Sequence, residues 1–521
     1  MIRHRNASIW IVSAALAGMV VWAPLPFGSV EPAAAGWVRL GAFLTAALAV
    51  ALLPVERLRT VAIPAAAAVG VALIGLLQSL RWPAGLVRVL SPAHLELAGA
   101  ASAVIEAPPG RIALSLAPDL SRVSALSWLA AAALLMAAAA VTHIRWSRRV
   151  IAAALVLTAF FEVFYGIRHV ALRSDYIWGR LAPSGHYRLR GTYVNANHLA
   201  SYLEMALAVM LAVSWWSWRR ARAAPTVERR LLLVGAPALV WLGLLVALAF
   251  SGSRGGLVAC AGGTLVQVLL IARMAGSYRI AVAGLGVLVA GLAAIAFVGL
   301  EAGLQRFLQA GMGGGLMARL DAMAATFELW QRFPWLGSGL GSFREAFPLV
   351  QPADLYGSWW HAHNDFLELL ATTGVVGFAV FASGLVALVR RLWQVLRRGE
   401  RSEDRAAALA ALGAIATVGA HELVDFGMTL PGNWVAMTVL CGMAAAAPRG
   451  RRQRAALAPG AGLATVEPEE ASEWPHGERA ASAASSSPRE WERPSEGSSR
   501  AWRRRVERIP ERAEERRARD P

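Results

Sequence analysis

The sequence predicts an all-α fold: a polytopic membrane helix bundle of about twelve transmembrane helices, with a large loop region on one side and a charged, disordered tail. Hydrophobic residues make up 56% of the 521-residue chain, and the mean hydropathy is +0.47. Many runs approach the roughly 20 apolar residues that cross a hydrocarbon core of about 30 Å. The basic residues are all arginine, and they concentrate in alternate short loops and in the C-terminal tail, for a formal net charge of +17. Such alternation marks the loops kept on the cytoplasmic side and argues against nucleic-acid binding.

Taken in order, the apolar runs are Ser8–Phe27, Gly36–Leu53, Val61–Leu80, Ala125–Val141, Val150–Val170, His198–Trp218, Leu231–Phe250, Gly255–Ile271, Ile280–Leu300, Phe366–Val389, Ala406–Val424 and Trp434–Ala447. The first follows Arg3 and Arg5 and resembles a secretory leader, with Ala33-Ala34-Ala35 as a cleavage region, but it is long enough to span and is read as a retained helix. Dense arginine at Arg57/Arg59, His143–Arg149, Arg219–Arg230, Arg273–Arg279 and Arg390–Arg405 assigns these loops, and both termini, to the cytoplasm. The outward loops are then the long ones, Arg81–Ser124, Ala171–Asn197 and Glu301–Asp365, and length of that kind favours function. From residue 448 to 521 the chain mixes Arg, Glu, Ser, Pro and Ala without apolar periodicity, which predicts a disordered cytoplasmic tail with a charged helix near Glu490–Arg519 and contact with anionic lipid at most. Cys260 and Cys441 lie inside apolar runs and read as core residues.

Four outward clusters carry residues suited to chemistry. They are Arg190 with Asn195, Asn197 and His198, the glycine-flanked turn Ser251-Gly252-Ser253-Arg254, the stretch from Arg319 to Phe347, and His361-Ala362-His363-Asn364-Asp365 with His421 and Asp425 downstream. Histidine titrates nearest neutrality, so a histidine beside Asn364, Asp365 and Glu368 where a helix leaves water is a candidate for proton transfer. Each cluster also has a plain reading. Arg254 is placed to snorkel to headgroups, and Asn195 and Asn197 to cap the next helix. Gly337-Ser338-Gly339-Leu340-Gly341 lacks the preceding strand and following Lys of a nucleotide loop and reads as a turn. His361 and His363 point to different sides of a helix and no third ligand is evident, so no metal is expected.

The order Arg-x-x-Gly-Thr-Tyr-Val-Asn-x-Asn-His, Ser-Arg-Gly-Gly, Arg319 with Trp330-x-x-x-Pro334-x-x-Gly337-x-Gly339-x-Gly341-x-Phe343, His363-Asn364-x-x-Leu367-Glu368 and His421-x-x-x-Asp425-Phe426 resembles the O-antigen ligase and polymerase superfamily, over residues 185 to about 435. The resemblance divides the chain into N-terminal transmembrane helices (1–184), a ligase-like catalytic membrane region (185–447, with its periplasmic loop 301–365) and the tail. It implies transfer of a glycan from undecaprenyl diphosphate to an acceptor hydroxyl, at the periplasmic side of the bacterial inner membrane, with no cofactor.

His363 then corresponds to the base, with His361 two residues away as the competing candidate, and Arg254 and Arg190 to the diphosphate-binding arginines. Asn197, His198, Arg319, His361, Asn364, His421 and Asp425 are expected to bind substrate. Guanidiniums stay charged and can grip phosphate oxygens in pairs, so they can stabilise such a leaving group without a metal. One-step displacement would invert the anomeric carbon. The expected acceptor is lipid A core, as in a ligase. Alternatives are a growing glycan, as in an O-antigen or exopolysaccharide polymerase, a protein, as in an O-oligosaccharyltransferase, and, in a different class, a lipid or solute transporter built on the same number of helices.

Overall fold

Among the described residues, helix α8 (Ala196–Ala221) is the most enclosed of the long helices. The computed structural model describes residues 2–105, 110–142, 144–182, 188–279, 282–286, 289 and 315–446. Most of the expected span 280–300, the loop to 314 and the tail from 447 lie outside the described residues. The other helices are α1 (Ile2–Trp22), α2 (Pro32–Leu52), α3 (Ala62–Ser79), α4 (Ala84–Leu90), α5 (Pro92–Ile105), α6 (Pro118–Val141), α7 (Arg145–Leu172), α9 (Val227–Phe250) and α10 (Arg254–Ala275). After the undescribed stretch come α11 (Gly315–Arg332), α12 (Phe343–Ala346), α13 (Asp365–Arg398), α14 (Ser402–His421) and α15 (Pro431–Ala445).

Every expected span that falls on described residues holds a helix. Among the described residues, eight helices are long and apolar enough to cross a membrane: α2, α3, α6, α7, α8, α9, α10 and α13. The apolar part of α1, Ala7–Trp22, is shorter, and α14 and α15 are not among the eight. The expected loop 81–124 is built up instead, with α4, α5 and a two-stranded antiparallel ribbon pairing Arg81–Pro83 with Arg111–Ala113.

Side-chain caps start the helices where the sequence supplies them. Asn195 accepts from the backbone N–H of Asn197, Thr226 from Arg229, Ser253 from Gly256 and Asn364 from Leu367, each satisfying a donor that a helix start leaves unpaired. Between helices the contacts are close and small. A Cβ on Gly263 of α10 would stand 1.7 Å from Thr417 Oγ1 of α14, so only glycine permits that approach. Gln267 then donates from one amide to Ala208 O of α8 and Leu409 O of α14, at 3.0 Å each. A buried Arg148–Asp404 pair at 2.5 Å ties α7 to α14.

Helix α13 is broken near its start. Gly374 adopts φ 65°, ψ −175°, a conformation reserved for glycine, and a Cβ there would meet Trp335 O at 2.2 Å. The break frees carbonyls, and the turn Pro334–Gly341 takes them up: Ser338 N donates to Ala371 O and Gly339 N to Thr372 O, both at 3.0 Å. In return Val375 N donates to Pro334 O. Gln78 of α3 closes the arrangement, accepting from Leu340 N and donating to Thr372 O. Non-helical backbone in such surroundings persists only when its polar groups are met by protein. The glycine-rich turn is thus a plug for a broken helix.

Gly374→Ala is therefore expected to destabilise the protein by about 1–3 kcal/mol, read as a lowered melting temperature in detergent. Gly235→Ala, in α9 where an added Cβ meets nothing within 4 Å, should leave it unchanged or slightly higher.

Candidate active site

Apart from Arg190, the polar residues singled out in the sequence meet at one end of the bundle, where α8, α10 and α13 begin and α9 and α14 finish. Asp425, in the turn after α14, is their meeting point, with its side chain 2% exposed. Asn197 Nδ2 donates to Asp425 Oδ2 at 2.6 Å, and Phe426 N to Oδ1 at 3.0 Å. Arg319 Nη1 lies 3.7 Å from Oδ2 and donates to Val424 O at 3.2 Å. His363 Nδ1 stands 3.8 Å from Oδ1, at ion-pair distance but too far for a hydrogen bond. Burial works to raise the Asp425 pKa, but the His363 side chain and the Arg319 charge outweigh it and hold the carboxyl below its usual range.

His363 adopts φ 53°, in the left-handed region that a bulky residue seldom enters, directly before the cap Asn364. Strain of this kind persists only when neighbours enforce it. Here His363 packs edge-on to the Phe426 ring at 4.8 Å, His198 packs edge-on to the same ring at 4.7 Å, and His361 stacks on it at 4.3 Å. Trp359 closes the other side of His363 at 5.7 Å. His361 Nδ1 is 3.1 Å from Glu368 Oε1, and the same carboxylate accepts from Ala362 N at 2.9 Å. Burial disfavours the charged imidazole of His361, yet Glu368, with help from Asp425, raises its pKa overall.

A second, deeper layer supports the first. His421 Nδ1 pairs with Glu204 Oε1 at 2.8 Å, and both side chains are essentially inaccessible. Its Nε2 faces Ser253 Oγ at 3.2 Å, the same hydroxyl that caps α10. Gly255 passes so near that a Cβ would lie 3.2 Å from the His421 ring. His421, expected to touch substrate, is therefore buried beneath the turn that carries Arg254. Arg254 begins α10 and is exposed.

The arginines of the first cluster divide. Arg190 is 1% exposed and donates to Ala182 O at 2.5 Å, with its charge facing Asp175 and His169. Arg188 is the one that reaches the site, donating from Nε to Ser251 O at 2.7 Å and from Nη2 to Asn197 Oδ1 at 2.5 Å. It is also the arginine that fits the Arg-x-x-Gly spacing of the motif, which is the signal that could have selected it. Glu204 was missed as well, although a lone carboxylate inside an apolar run is a signal in itself. Among the described residues no group of three His, Cys, Asp or Glu side chains is placed to hold a metal ion.

Fold and site together define a polytopic helical membrane protein with a histidine- and arginine-bearing polar site at one end of its bundle. Residues 238–382 match the protein-family model described as O-antigen ligase, which supports the resemblance of this segment to the O-antigen ligase and polymerase superfamily. The matched segment contains Arg254, Arg319, His361, His363 and Asn364. A comparison with curated proteins finds no match.

The His361–Glu368 pair gives a pH signature. A histidine whose folded pKa is raised contributes stability that is fully present below about 6.5, its unfolded value, and is lost as pH rises through the folded value. Glu368→Gln should therefore lower the melting temperature more at pH 6 than at pH 9. An equal loss at both would mean that Glu368 acts only through its bond to Ala362.

Proposed function

We propose that the protein transfers a glycan from undecaprenyl diphosphate to an acceptor hydroxyl at the periplasmic face of a bacterial inner membrane. The observation that carries this reading is the convergence of Arg188, Arg319 and His363 around Asn197 and Asp425, next to the turn bearing Arg254. Orientation is supported by charge. Arg219, Arg220, Arg273, Arg397, Arg398 and Arg401 all sit at the helix ends away from the site, and arginine-rich ends stay cytoplasmic. A count of twelve spans, with both termini inside, accords with that orientation.

In this reading His363 accepts the acceptor's hydroxyl proton as the oxygen attacks the anomeric carbon. Asp425, 3.8 Å away and held ionised, favours the imidazolium that results. The bond to the diphosphate breaks on the opposite side, so the anomeric configuration inverts. Arg254, with Arg188 and Arg319, meets the charge that develops on the leaving diphosphate, and fixed guanidiniums need no metal for this. His361 is paired with Glu368 and stacked flat on Phe426, which suits it to holding charge and shape beside the base. The donor chemistry is common to ligases and polymerases, and in this reading the acceptor is lipid A core, as in a ligase.

Incubation of the purified protein with an undecaprenyl diphosphate glycan and lipid A core, followed by mass analysis of the product, tests this directly. His363→Ala should lower the rate by about 10²–10⁴. Arg254→Lys, which keeps the charge but loses the planar fork, should also be strongly impaired. Transfer should persist in EDTA. Full turnover of His363→Ala, or loss in EDTA with recovery on adding a divalent cation, would overturn the mechanism.

A further inference from the structure

At the opposite end of the bundle from the candidate active site lies a cavity of about 240 Å³ between α10, α13 and α14. Arg273 reaches it from the last turn of α10, Arg397 from the last turn of α13 and Arg405 from the first turn of α14. Its lining includes no carboxylate. The acidic side chains at the start of α14 are committed elsewhere: Glu403 pairs with Arg145 and Arg149, and Asp404 is buried against Arg148. Three guanidiniums from three helices therefore face one cavity with no negative partner in its wall among the described residues.

Arg273 and Arg397 are exposed and Arg405 is half-buried, but two of the three are held by local contacts. Arg405 is held in place by donating from Nε to Gly399 O at 2.8 Å, and Arg397 lies over the Trp393 ring at 5.9 Å. The remaining wall is apolar, from Leu270, Met274 and Leu396 with the body of Trp393. Cations near helix C-termini are expected from the helix dipole alone. That effect does not account for a hollow with a cationic rim and an apolar side at the level where helices leave the membrane. An anionic group joined to a hydrocarbon chain satisfies both halves of such a surface, and basic clefts between transmembrane helices suit phosphate headgroups.

We propose that this cavity binds the phosphate headgroup of an anionic membrane phospholipid, with its glycerol and upper acyl chain against Leu270, Met274 and Trp393. The site is separate from the transfer chemistry and does not depend on it. The full-length protein, purified in detergent, is titrated with phosphatidylglycerol or phosphatidylcholine of the same acyl length and examined by native mass spectrometry, with inorganic phosphate as competitor. Phosphatidylglycerol should be retained on the order of tenfold better than phosphatidylcholine, given three arginines at the headgroup.

The triple substitution Arg273→Gln, Arg397→Gln, Arg405→Gln should abolish that preference. Leu270→Trp, which fills the cavity and keeps every charge, should also weaken retention. Arg219→Gln with Arg220→Gln, at the same end but outside the cavity, should leave it unchanged. Equal retention of the two lipids, or a preference that survives both the triple variant and Leu270→Trp, overturns the proposal. Competition by millimolar inorganic phosphate as effective as that by lipid would overturn the lipid assignment in favour of a free-phosphate site.

Discussion

A carboxylate buried where helices leave the membrane must be met by donors and cations, and Asp425 is met from separate parts of the chain: Asn197 at the start of α8, Arg319 on α11, and His363 ahead of α13. In a medium of low dielectric constant an unmet carboxylate would cost several kcal/mol or take up a proton. The requirement therefore fixes where these segments lie. Arg188 follows as a consequence, since it binds the other end of the Asn197 amide and so fastens the loop before α8 to the turn before α10. The same satisfied charge then stands beside the histidine read as the base.

Below this layer Glu204 and His421 repeat the logic one step deeper. Their pair sits against the glycines at the start of α10, and Ser253 joins it to the cap of that helix. The turn carrying Arg254 is thus seated on a buried Glu204–His421 pair. Phe426 does for the histidines what Asp425 does for the polar groups, since three imidazoles use its one ring. Both supply rigidity, which transfer chemistry needs if base and cations are to act on one bound molecule.

Much of the fold was legible because membrane helices declare themselves by length and hydropathy, and because arginine marks the ends of the opposite sign. The site was legible in part. The motif order singled out Asn197, Arg319, His361, His363, Asn364 and Asp425, all of which the structure gathers at one end. Arg190 was singled out where the Arg-x-x-Gly spacing of the motif begins at Arg188, and only the fold shows that Arg188 is the side chain that turns to the site. His421 was read at the level of Asp425, yet a four-residue step along or just past a helix carries it a turn deeper, onto Glu204. The role of Gly337–Gly341 was hidden for another reason: its partners are the carbonyls freed at Gly374, and nothing in a run of apolar residues announces that the helix breaks there.

The central claim is that the clustered arginines and His363 act on a single lipid-linked diphosphate. A cryo-electron microscopy structure of the protein with an undecaprenyl diphosphate glycan tests it most directly. The account predicts diphosphate density within hydrogen-bonding reach of Arg254 and at least one of Arg188 and Arg319, with the first sugar facing His363. Diphosphate density lodged against Arg190, or at the arginine-rich end of the bundle, would contradict it.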